Sequence, residues 1–444
     1  MKEFDMLIIG GGPSTRNAVK IMRQLKPDVT SAVIRYDRTM INHCAMPYAL
    51  EGGEVTLEKI IVPDQRLFNW KAELFIDKAT SIDPKEKIVT TENDKFKYQK
   101  LFLLTGSMPI KPPIPGIDLE NVFSLRHTED VEAIDKALNT AKKVVVIGGG
   151  YIGVEFGSLV RKRGLDVTIV EMLPHCMMAS LDPDFCELAE EELRRNGVTV
   201  LTNTQVTAIK GNGKVESVEV GDKEIPADLV ILGVGVRPET SLAEQTGITV
   251  AKTGIVVDNR MRTNLPDIYA AGDNIETKCY VTGKVKPGKI GSNAVIEAKA
   301  AVMNALGHDR IFPGIIGPSA TKIFDLCFGM VGVGKGQAER DDLEVFTGDS
   351  ETTSMYGMIP GTKKTRVRLY FKKQDHTVVG CQIVGSQFLG GHIDLIAQAI
   401  RNHLTVEDLT TIHYTTHPEL TPNPATQGIM LAAEDAWLKS RKGF

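Results

Sequence analysis

The chain has 444 residues, of which 42% are hydrophobic and 24% are charged, and its formal net charge is −4. This composition is typical of a soluble globular protein, and the length leaves room for about three domains. The slightly acidic balance argues against nucleic acid or an anionic membrane as a partner, because both favour a basic surface. No apolar run is long enough to span a membrane, and the first residues lead directly into a strand-like run, so we expect no signal peptide.

The cysteines are spread widely along the chain. None belongs to a Cys-x-x-Cys pair or a Cys/His cluster, so the sequence predicts neither a metal site nor a disulfide framework. Scattered thiols in a chain without an export signal favour a reducing cytoplasm. The cysteines are Cys44, Cys176, Cys186, Cys279, Cys327 and Cys381.

A glycine-rich turn lies close to the N-terminus. Residues 4–12 predict a buried strand that runs into Gly10-Gly11-Gly12, followed by a helix over 14–25 and a second strand over 31–36. In such a βαβ unit the glycines let the backbone approach a pyrophosphate at the helix N-terminus. This turn therefore predicts a dinucleotide site.

The first turn departs from the usual dinucleotide pattern in two places. Thr15 stands where the third glycine is expected, and Arg35 stands near the place of the acid that normally ends the second strand. Asp37 follows two residues later. We expect Asp37 to take over the ribose contact, with a solvated turn aspartate as the alternative.

A second glycine turn is complete. The predicted strand 143–147 leads into Gly148-Gly-Gly-Tyr-Ile-Gly153, a helix reaches about Arg163, and the strand 166–170 ends at Glu171. A carboxylate at this strand end is placed to accept hydrogen bonds from the ribose hydroxyls of NAD and to repel a 2′-phosphate. The pattern predicts NAD binding.

Three further motifs surround these turns. Thr105-Gly106 and Leu229–Pro238, which contains Gly235, both follow apolar strands and predict places where the chain crosses between domains. Asp273 ends the short strand 267–273, where ligands of open α/β sheets gather, so we expect it to hold a ribityl hydroxyl or a phosphate.

The pattern of predicted secondary structure changes after about Thr321. Strand-like runs are predicted over 322–333, 344–347 and 366–384, and helical segments near 391–403 and 423–441. This order of elements predicts a separate α+β module.

The stretch 41–53 places Cys44 in a turn-rich loop that Pro47 can fold into the first turn of a helix. A thiol beside a helix N-terminus is stabilised as the thiolate, which makes Cys44 a candidate redox nucleophile. The alternative is a buried and inert cysteine.

Together these motifs resemble the pyridine nucleotide-disulfide oxidoreductase family over nearly the whole chain. The resemblance implies an α/β fold with two Rossmann-like dinucleotide-binding domains, one for FAD and one for NAD, and a C-terminal α+β dimerisation domain. The implied boundaries are 1–115 and 241–318 for the FAD domain, 116–240 for the NAD domain and 319–444 for the dimerisation domain.

Cys44 followed by x-x-Pro-Tyr resembles the single-cysteine branch of the family, which includes NADH oxidases, NADH peroxidases, coenzyme A-disulfide reductases and polysulfide reductases. Ala49 stands where two-cysteine members carry the second thiol. The resemblance implies that hydride passes from NADH through FAD to Cys44, and then to oxygen, a small disulfide or polysulfide. A solitary thiol suits this chemistry, since its oxidised form must be capped by oxygen or by an external sulfur.

The resemblance also implies particular site residues. Tyr414 and His417, lent by the second subunit of a homodimer, are the candidate proton donors beside Cys44, and His43 is a weaker one that would lower the cysteine pKa if charged. Pro13 stands where NADH peroxidases have a histidine, which argues against peroxidase activity. The implied cofactor-binding residues are Gly10, Gly12, Pro13, Asp37, Thr105, Gly106, Gly148, Gly150, Tyr151, Ile152, Gly153, Glu171, Gly235 and Asp273.

Two other functions remain open at this point. In the first, the flavoprotein passes electrons to a small redox protein, as rubredoxin or ferredoxin reductases do, and Cys44 is not catalytic. In the second, the chain is a non-catalytic redox sensor, an idea that rests only on Thr15 and Arg35.

Overall fold

The computed structural model describes residues 1–386 and 389–442. The first part of the chain forms a twisted sheet with helices beside it. Its strands are β1 (Lys2–Ile9), β2 (Ser31–Arg35), β3 (Met40–Ile41), β4 (Ile61–Val62), β5 (Ala72–Ile76), β6 (Ala79–Asp83), β7 (Ile88–Thr91), β8 (Lys95–Leu103) and β9 (Ser107–Pro109). Its helices are α1 (Pro13–Leu25), α2 (Met46–Ala49), α3 (Leu57–Ile60) and α4 (Gln65–Asn69), and a 3-10 turn covers His43–Ala45.

The main sheet of this part has the order β5-β2-β1-β8-β7-β6. Strands β5, β2, β1 and β8 are parallel, whereas β6 and β7 add an antiparallel hairpin at one edge. Strand β2 is buried throughout and the second half of β1 is buried, as expected for a parallel sheet covered on both faces. The predicted βαβ unit around the first glycine turn is confirmed.

The next part of the chain forms a second parallel sheet. Its strands are β10 (Val122–Phe123), β11 (Lys143–Ile147), β12 (Asp166–Val170), β13 (Thr199–Leu201), β14 (Val206–Lys210), β15 (Ser217–Val220), β16 (Lys223–Pro226), β17 (Leu229–Leu232) and β18 (Val236–Pro238). Its helices are α5 (Thr128–Leu138), α6 (Tyr151–Lys162), α7 (Pro183–Arg195) and α8 (Ser241–Thr246). The order β10-β17-β11-β12-β13 is parallel, and β14, β15 and β16 form a separate antiparallel sheet.

The chain then returns to the first sheet. The elements here are β19 (Val250–Ala251), β20 (Gly254–Ile255), β21 (Ile268–Ala270) and α9 (Gly291–Ala305). Strand β21 pairs in parallel with β8, and α9 packs against α1. Strand β18 pairs with β9, so the two crossings between the sheets lie side by side.

The C-terminal part is an antiparallel sheet covered by helices, as the α+β prediction requires. Its elements are β22 (Ser319–Ile323), β23 (Leu326–Gly332), α10 (Lys335–Arg340), β24 (Val345–Thr353), β25 (Lys364–Lys372), β26 (Val378–Gly385), α11 (Leu389–Arg401), α12 (Val406–Thr410), a 3-10 turn over Pro424–Thr426 and α13 (Gly428–Arg441). The strand order is β22-β23-β26-β25-β24. The predicted β-like run over 366–384 contains two strands, because the chain turns back between Lys372 and Val378 and forms the hairpin of β25 and β26.

Two of the contacts between these parts determine where the Cys44 loop and α7 lie. Ile41, Met46 and Leu50 around the Cys44 loop share one apolar cluster, here called the junction core, with Val154 of α6 and Phe328 of β23. At the start of α7, buried Asp182 accepts hydrogen bonds from Tyr370 (2.5 Å) and Gln382 (3.1 Å) of the C-terminal sheet. The Cys44 loop is therefore packed between the second sheet and the C-terminal sheet. Among the described residues, every helix is too short or too polar to cross a lipid bilayer.

Candidate functional site

The first glycine turn closes tightly around its strand. Gly10 has a φ of +131°, and a Cβ atom there would lie 2.0 Å from the carbonyl oxygen of Leu104. The Thr15 hydroxyl donates to the Gly10 carbonyl at 2.9 Å, so the residue in the place of the third glycine fastens the turn. Gly12 precedes α1, which begins at Pro13, and leaves open space beside the free N–H groups of the helix.

The second glycine turn has the same design. Gly148 has a φ of +104° and approaches the Gly233 carbonyl, so that a Cβ would lie 2.5 Å from that oxygen. Gly153 packs on Gly148, with a Cβ position only 1.9 Å from the Gly148 carbonyl oxygen. Gly150 faces open space at the start of α6, and the neighbouring Ile152 is exposed. Both turns thus present a helix N-terminus to an anionic ligand.

Glu171 lies buried against the second turn. Its carboxylate accepts a hydrogen bond from Gly149 N at 2.6 Å and another from Leu173 N at 2.8 Å. A carboxylate offers about four acceptor positions, so two remain for ribose hydroxyls. The predicted role in NAD binding is compatible with this arrangement and stays a prediction.

Asp37 of the first sheet reaches across to the second part of the chain. Its Oδ1 lies 2.7 Å from His127 Nδ1, at the start of α5. Burial acts against ionisation, but the hydrogen bond and charge of His127 lower the pKa of Asp37. One oxygen of the Asp37 carboxylate therefore binds His127. The sequence predicts that this carboxylate binds the ribose, and that contact stays a prediction.

The two motifs at the predicted domain crossings, Thr105-Gly106 and Leu229–Pro238, mainly contact other parts of the backbone. The Thr105 hydroxyl donates to the Glu239 carbonyl at 2.7 Å, while Gly106 and Gly235 both have positive φ values, of +72° and +98°. Asp273 follows β21 and accepts from the Ser107 hydroxyl at 3.0 Å. Asp273 therefore lies at the carboxyl edge of the first sheet, where its prediction placed it.

Several buried polar atoms near Asp273 have no hydrogen-bond partner among the described residues. They are Asn274 Oδ1, Glu297 Oε1 and Arg126 Nε. Glu297 Oε2 accepts from Gly272 N at 2.9 Å, and burial raises the pKa of Glu297 to about 8, so its carboxyl group is mainly protonated at neutral pH. Because buried polar groups normally have partners, these atoms fit a polar ligand beside the first glycine turn, such as a flavin dinucleotide.

Cys44 lies in the 3-10 turn just before α2, and it is exposed to solvent. The turn is closed by a hydrogen bond from Ala45 N to the Asn42 carbonyl at 2.9 Å, and Asn42 N donates to the Ile60 carbonyl at 2.9 Å. Pro47 occupies the first turn of α2, as predicted. The apolar neighbours Met46 and Leu50 enter the junction core and fix the loop.

The prediction that this position stabilises the thiolate is wrong. Although the residue is exposed overall, partial burial of the thiol raises the pKa of Cys44, and the carboxylates of Glu155 and Asp273 add to the rise. The helix that follows Cys44 is a single turn, so its dipole is too small to outweigh two nearby negative charges. Burial and the charge of Arg126 lower the pKa of His43 to about 4, so His43 is neutral at pH 7 and cannot act as a cation beside the thiol.

Helix α6 adds two polar groups to the neighbourhood of Cys44. The Tyr151 hydroxyl lies 3.0 Å from Ser319 Oγ, and Glu155 accepts from the Thr321 hydroxyl at 2.6 Å. Burial raises the pKa of Glu155.

Tyr48 and Lys289 were missed as site residues. Burial and the charge of Glu155 raise the pKa of Tyr48, with a smaller contribution from Cys44 itself. Lys289 Nζ donates to the Asp273 carbonyl at 2.5 Å. The Pro-Tyr pair after Cys44 could have indicated Tyr48, whereas no local sequence signal indicates Lys289.

Tyr414 and His417 lie on an exposed segment of the C-terminal part. Tyr414 donates to the Pro424 carbonyl, and His417 Nδ1 accepts from Glu419 N at 3.2 Å. Within the described part of a single chain, none of these hydrogen bonds reaches Cys44. Leu420 beside them is 59% exposed, an apolar surface on the same segment.

Comparison with known proteins identifies the family. Residues 4–304 match the pyridine nucleotide-disulphide oxidoreductase family, and residues 318–427 match the dimerisation domain of the same family. The chain belongs to this family. It is therefore an oxidoreductase that uses FAD and a nicotinamide dinucleotide.

Individual relatives cover nearly the whole chain. An NADH oxidase of Methanocaldococcus jannaschii is 33% identical, over 98% of this chain and 98% of its own length. A CoA-dependent NAD(P)H sulfur oxidoreductase of Pyrococcus furiosus is 28% identical, over 92% of this chain and 94% of its own length. Among solved structures, an NAD-dependent persulfide reductase from A. fulgidus is 30% identical and superposes with a TM-score of 0.94, over 99% of this chain and 84% of that one.

Replacing Glu155 with Gln is expected to make Cys44 more reactive. The substitution removes a negative charge near the thiol, so the cysteine pKa falls and more thiolate is present at any pH below it. We expect alkylation of Cys44 by iodoacetamide at pH 8 to be faster by about two- to tenfold. A decrease of the Cys44 pKa by up to about one unit increases the thiolate fraction by that factor. The measurement is a pH series on flavin-free protein, with the labelled peptide identified by mass. Glu58→Gln, at an exposed carboxylate of the same loop region, serves as the control, and an unchanged or higher alkylation midpoint in Glu155→Gln would contradict the assignment.

The nicotinamide cofactor is expected to be NADH. The predicted role of Glu171 is to repel a 2′-phosphate. Met172 beside it is 66% exposed, so an arginine can be introduced there without disturbing the core. We expect Met172→Arg to raise kcat/KM for NADPH relative to NADH by about tenfold or more, the usual effect of a charged hydrogen bond. Met172→Gln is the matched neutral control. A wild-type preference for NADPH would refute the role of Glu171.

Proposed function

We propose that this enzyme reduces a small sulfur acceptor, such as a low-molecular-weight disulfide, a persulfide or a polysulfide, with Cys44 as its redox thiol. The observation that carries the proposal is the exposure of Cys44. All cysteines of the sequence lie in the described part of the chain, and Cys44 alone is exposed, whereas Cys327 is half-buried and the others are buried. An external sulfur can therefore reach Cys44 directly.

We assign FAD to the unit formed by residues 1–115 and 241–318, and NADH to residues 116–240. The first glycine turn, Thr105-Gly106 and Asp273 would hold FAD, and the second turn with Glu171 would hold NADH. Bound FAD would accept a hydride from NADH and make its electrons available to Cys44. The unpartnered polar atoms near Asp273 support this placement, because a flavin dinucleotide offers both donors and acceptors there.

The chemistry at Cys44 is thiol–disulfide exchange. The thiolate attacks one sulfur of the acceptor R–S–S–R, the bond between the two sulfurs breaks, and RS⁻ leaves while a Cys44–S–S–R bond forms. Two electrons from NADH then cleave this mixed disulfide, which releases a second RS⁻ and restores the Cys44 thiolate. Overall, NADH, one proton and R–S–S–R give NAD⁺ and two R–SH. Partial burial and the neighbouring carboxylates keep the free thiol protonated, so a proton must leave Cys44 before the attack.

The leaving thiolate needs a proton donor, and we propose that a second copy of the chain provides it. Residues 319–444 would form the dimer, consistent with the match of residues 318–427 to a dimerisation domain. Tyr414 and His417 lie on an exposed segment there, and Tyr356 N donates to the Pro418 carbonyl at 3.0 Å, which ties the backbone of a second, half-buried tyrosine to this segment. The scattered free thiols fit a cytoplasmic enzyme.

Oxygen is the second candidate acceptor. It is favoured by the M. jannaschii relative, which matches over nearly its full length and is named an NADH oxidase. Transfer to a small redox protein without use of Cys44 is the remaining catalytic alternative. A protein without catalytic activity is not supported, since the relatives that match most of the chain are named as enzymes.

Replacement of Cys44 with Ser tests the proposal. We expect NADH-dependent reduction of coenzyme A disulfide and of polysulfide to fall by about a hundredfold or more, because the covalent intermediate can no longer form. Flavin absorbance should be unchanged, since a serine side chain at this position has nearly the same size and leaves the packing of the loop intact. Cys327→Ser, at the half-buried thiol, should retain full activity. Undiminished sulfur reduction by Cys44→Ser would disprove the proposal, and activity only with oxygen or with a redox protein would support one of the alternatives.

A further inference from the structure

The two glycine turns differ at one corresponding position. Gly10 N donates to the Ile34 carbonyl at 2.9 Å, and Gly148 N donates to the Val170 carbonyl at 2.8 Å. The next residue is Arg35 in the first sheet and Glu171 in the second. Arg35 therefore occupies the place of the acid that holds a ribose in dinucleotide-binding folds.

Arg35 is built into the first turn. Only 1% of the residue is exposed, and its side chain lies against Gly11, where a Cβ would be 2.3 Å from Arg35 Cδ. A buried guanidinium is costly unless it is paired. Arg35 Nη1 and Nη2 bind the two carboxylate oxygens of Asp64 at 2.7 and 3.0 Å, in the bidentate geometry that this pair favours.

This ion pair brings a carboxylate to the end of β2. Asp64 lies just before α4, and its side chain stays 29% exposed, in contrast to its buried partner. Each of its oxygens keeps a further acceptor position after binding Arg35. Asp37, the other acid nearby, has one carboxylate oxygen bound to His127 of the second part of the chain.

We propose that Asp64, held by Arg35, binds the adenosine ribose hydroxyls of FAD. Arg35 then acts as a positioning residue. It stands in place of the strand-end acid and holds the carboxylate of Asp64 at the same edge of the sheet. The inference depends on FAD binding to the first unit and is independent of the role of Cys44.

The test compares FAD with its 2′-deoxyadenosine analogue. Each ligand is titrated into the full-length, flavin-free protein, and binding is followed by flavin fluorescence. The titrations use the wild type and Asp64→Asn. This substitution keeps the size of the side chain and a hydrogen-bond acceptor for Arg35. We expect the wild type to bind FAD about tenfold more tightly than the analogue, as loss of a charged hydrogen bond implies. In Asp64→Asn, FAD affinity should fall by about tenfold and the ratio between the two ligands should approach one.

Asp37→Asn is the matched control and should keep the wild-type ratio. The proposal is overturned if the ratio survives in Asp64→Asn, if it is lost in Asp37→Asn instead, or if the wild type does not distinguish the two ligands. Should Asp64→Asn not fold, a crystal structure of the FAD-loaded wild type decides: an Asp64 oxygen within hydrogen-bond distance of the ribose supports the proposal, and a ribose bound only by Asp37 overturns it. Since the ratio does not involve Cys44, this inference and the proposed sulfur chemistry fail separately.

Discussion

The junction core around the Cys44 loop is the contact on which the site depends. Ile41, Met46 and Leu50 are nearly completely buried with Val154 and Phe328, so a short loop is anchored on two other parts of the chain. Burial of each such side chain contributes about 1.5–3 kcal/mol relative to its exposure. The loop itself consists of a 3-10 turn and one turn of helix, which have little stability of their own. The position of the thiol is thus set by tertiary packing.

Burial and nearby charges set the protonation states of Cys44 and His43. Partial burial, and then the carboxylates of Glu155 and Asp273, raise the pKa of Cys44, whereas burial and the charge of Arg126 lower the pKa of His43 and keep that histidine neutral. A thiol in this field is protonated at rest and is less prone to uncontrolled oxidation than an exposed thiolate. In the proposed mechanism, its reactivity depends on groups that arrive with the cofactors, the acceptor or a second subunit.

The sequence was sufficient for the fold because its strongest signals are local. The glycine turns, the strand-end Glu171 and the apolar strands each follow from a few consecutive residues, and the structure has these elements at the predicted places. The β-like run over 366–384 gave no position for the turn inside it, because two adjacent buried strands have the same apolar pattern as one long strand. Arg35 and Asp64, in contrast, form a pair across 29 residues of sequence, and no local pattern connects them.

The charge state of Cys44 could not be predicted for the same reason. Local reasoning considered the helix that follows the thiol and the adjacent His43. The pKa of Cys44 is raised instead by partial burial of the thiol and then by the carboxylates of Glu155 and Asp273, which come from distant segments. Likewise, no hydrogen bond of Tyr414 or His417 within the described part of the chain reaches Cys44, so their proposed role requires a second subunit. Sequence motifs indicated Cys44 as the candidate redox residue, whereas its electrostatic surroundings are visible only in the folded structure.

The central claim is that Cys44 carries the electrons to sulfur through a covalent adduct. The most direct measurement is mass analysis of the flavin-loaded enzyme after anaerobic exposure to coenzyme A disulfide or polysulfide, before and after addition of NADH. The account predicts an adduct on the peptide that contains Cys44, which disappears when NADH is added. Turnover of the acceptor with Cys44 unmodified at every stage would contradict it.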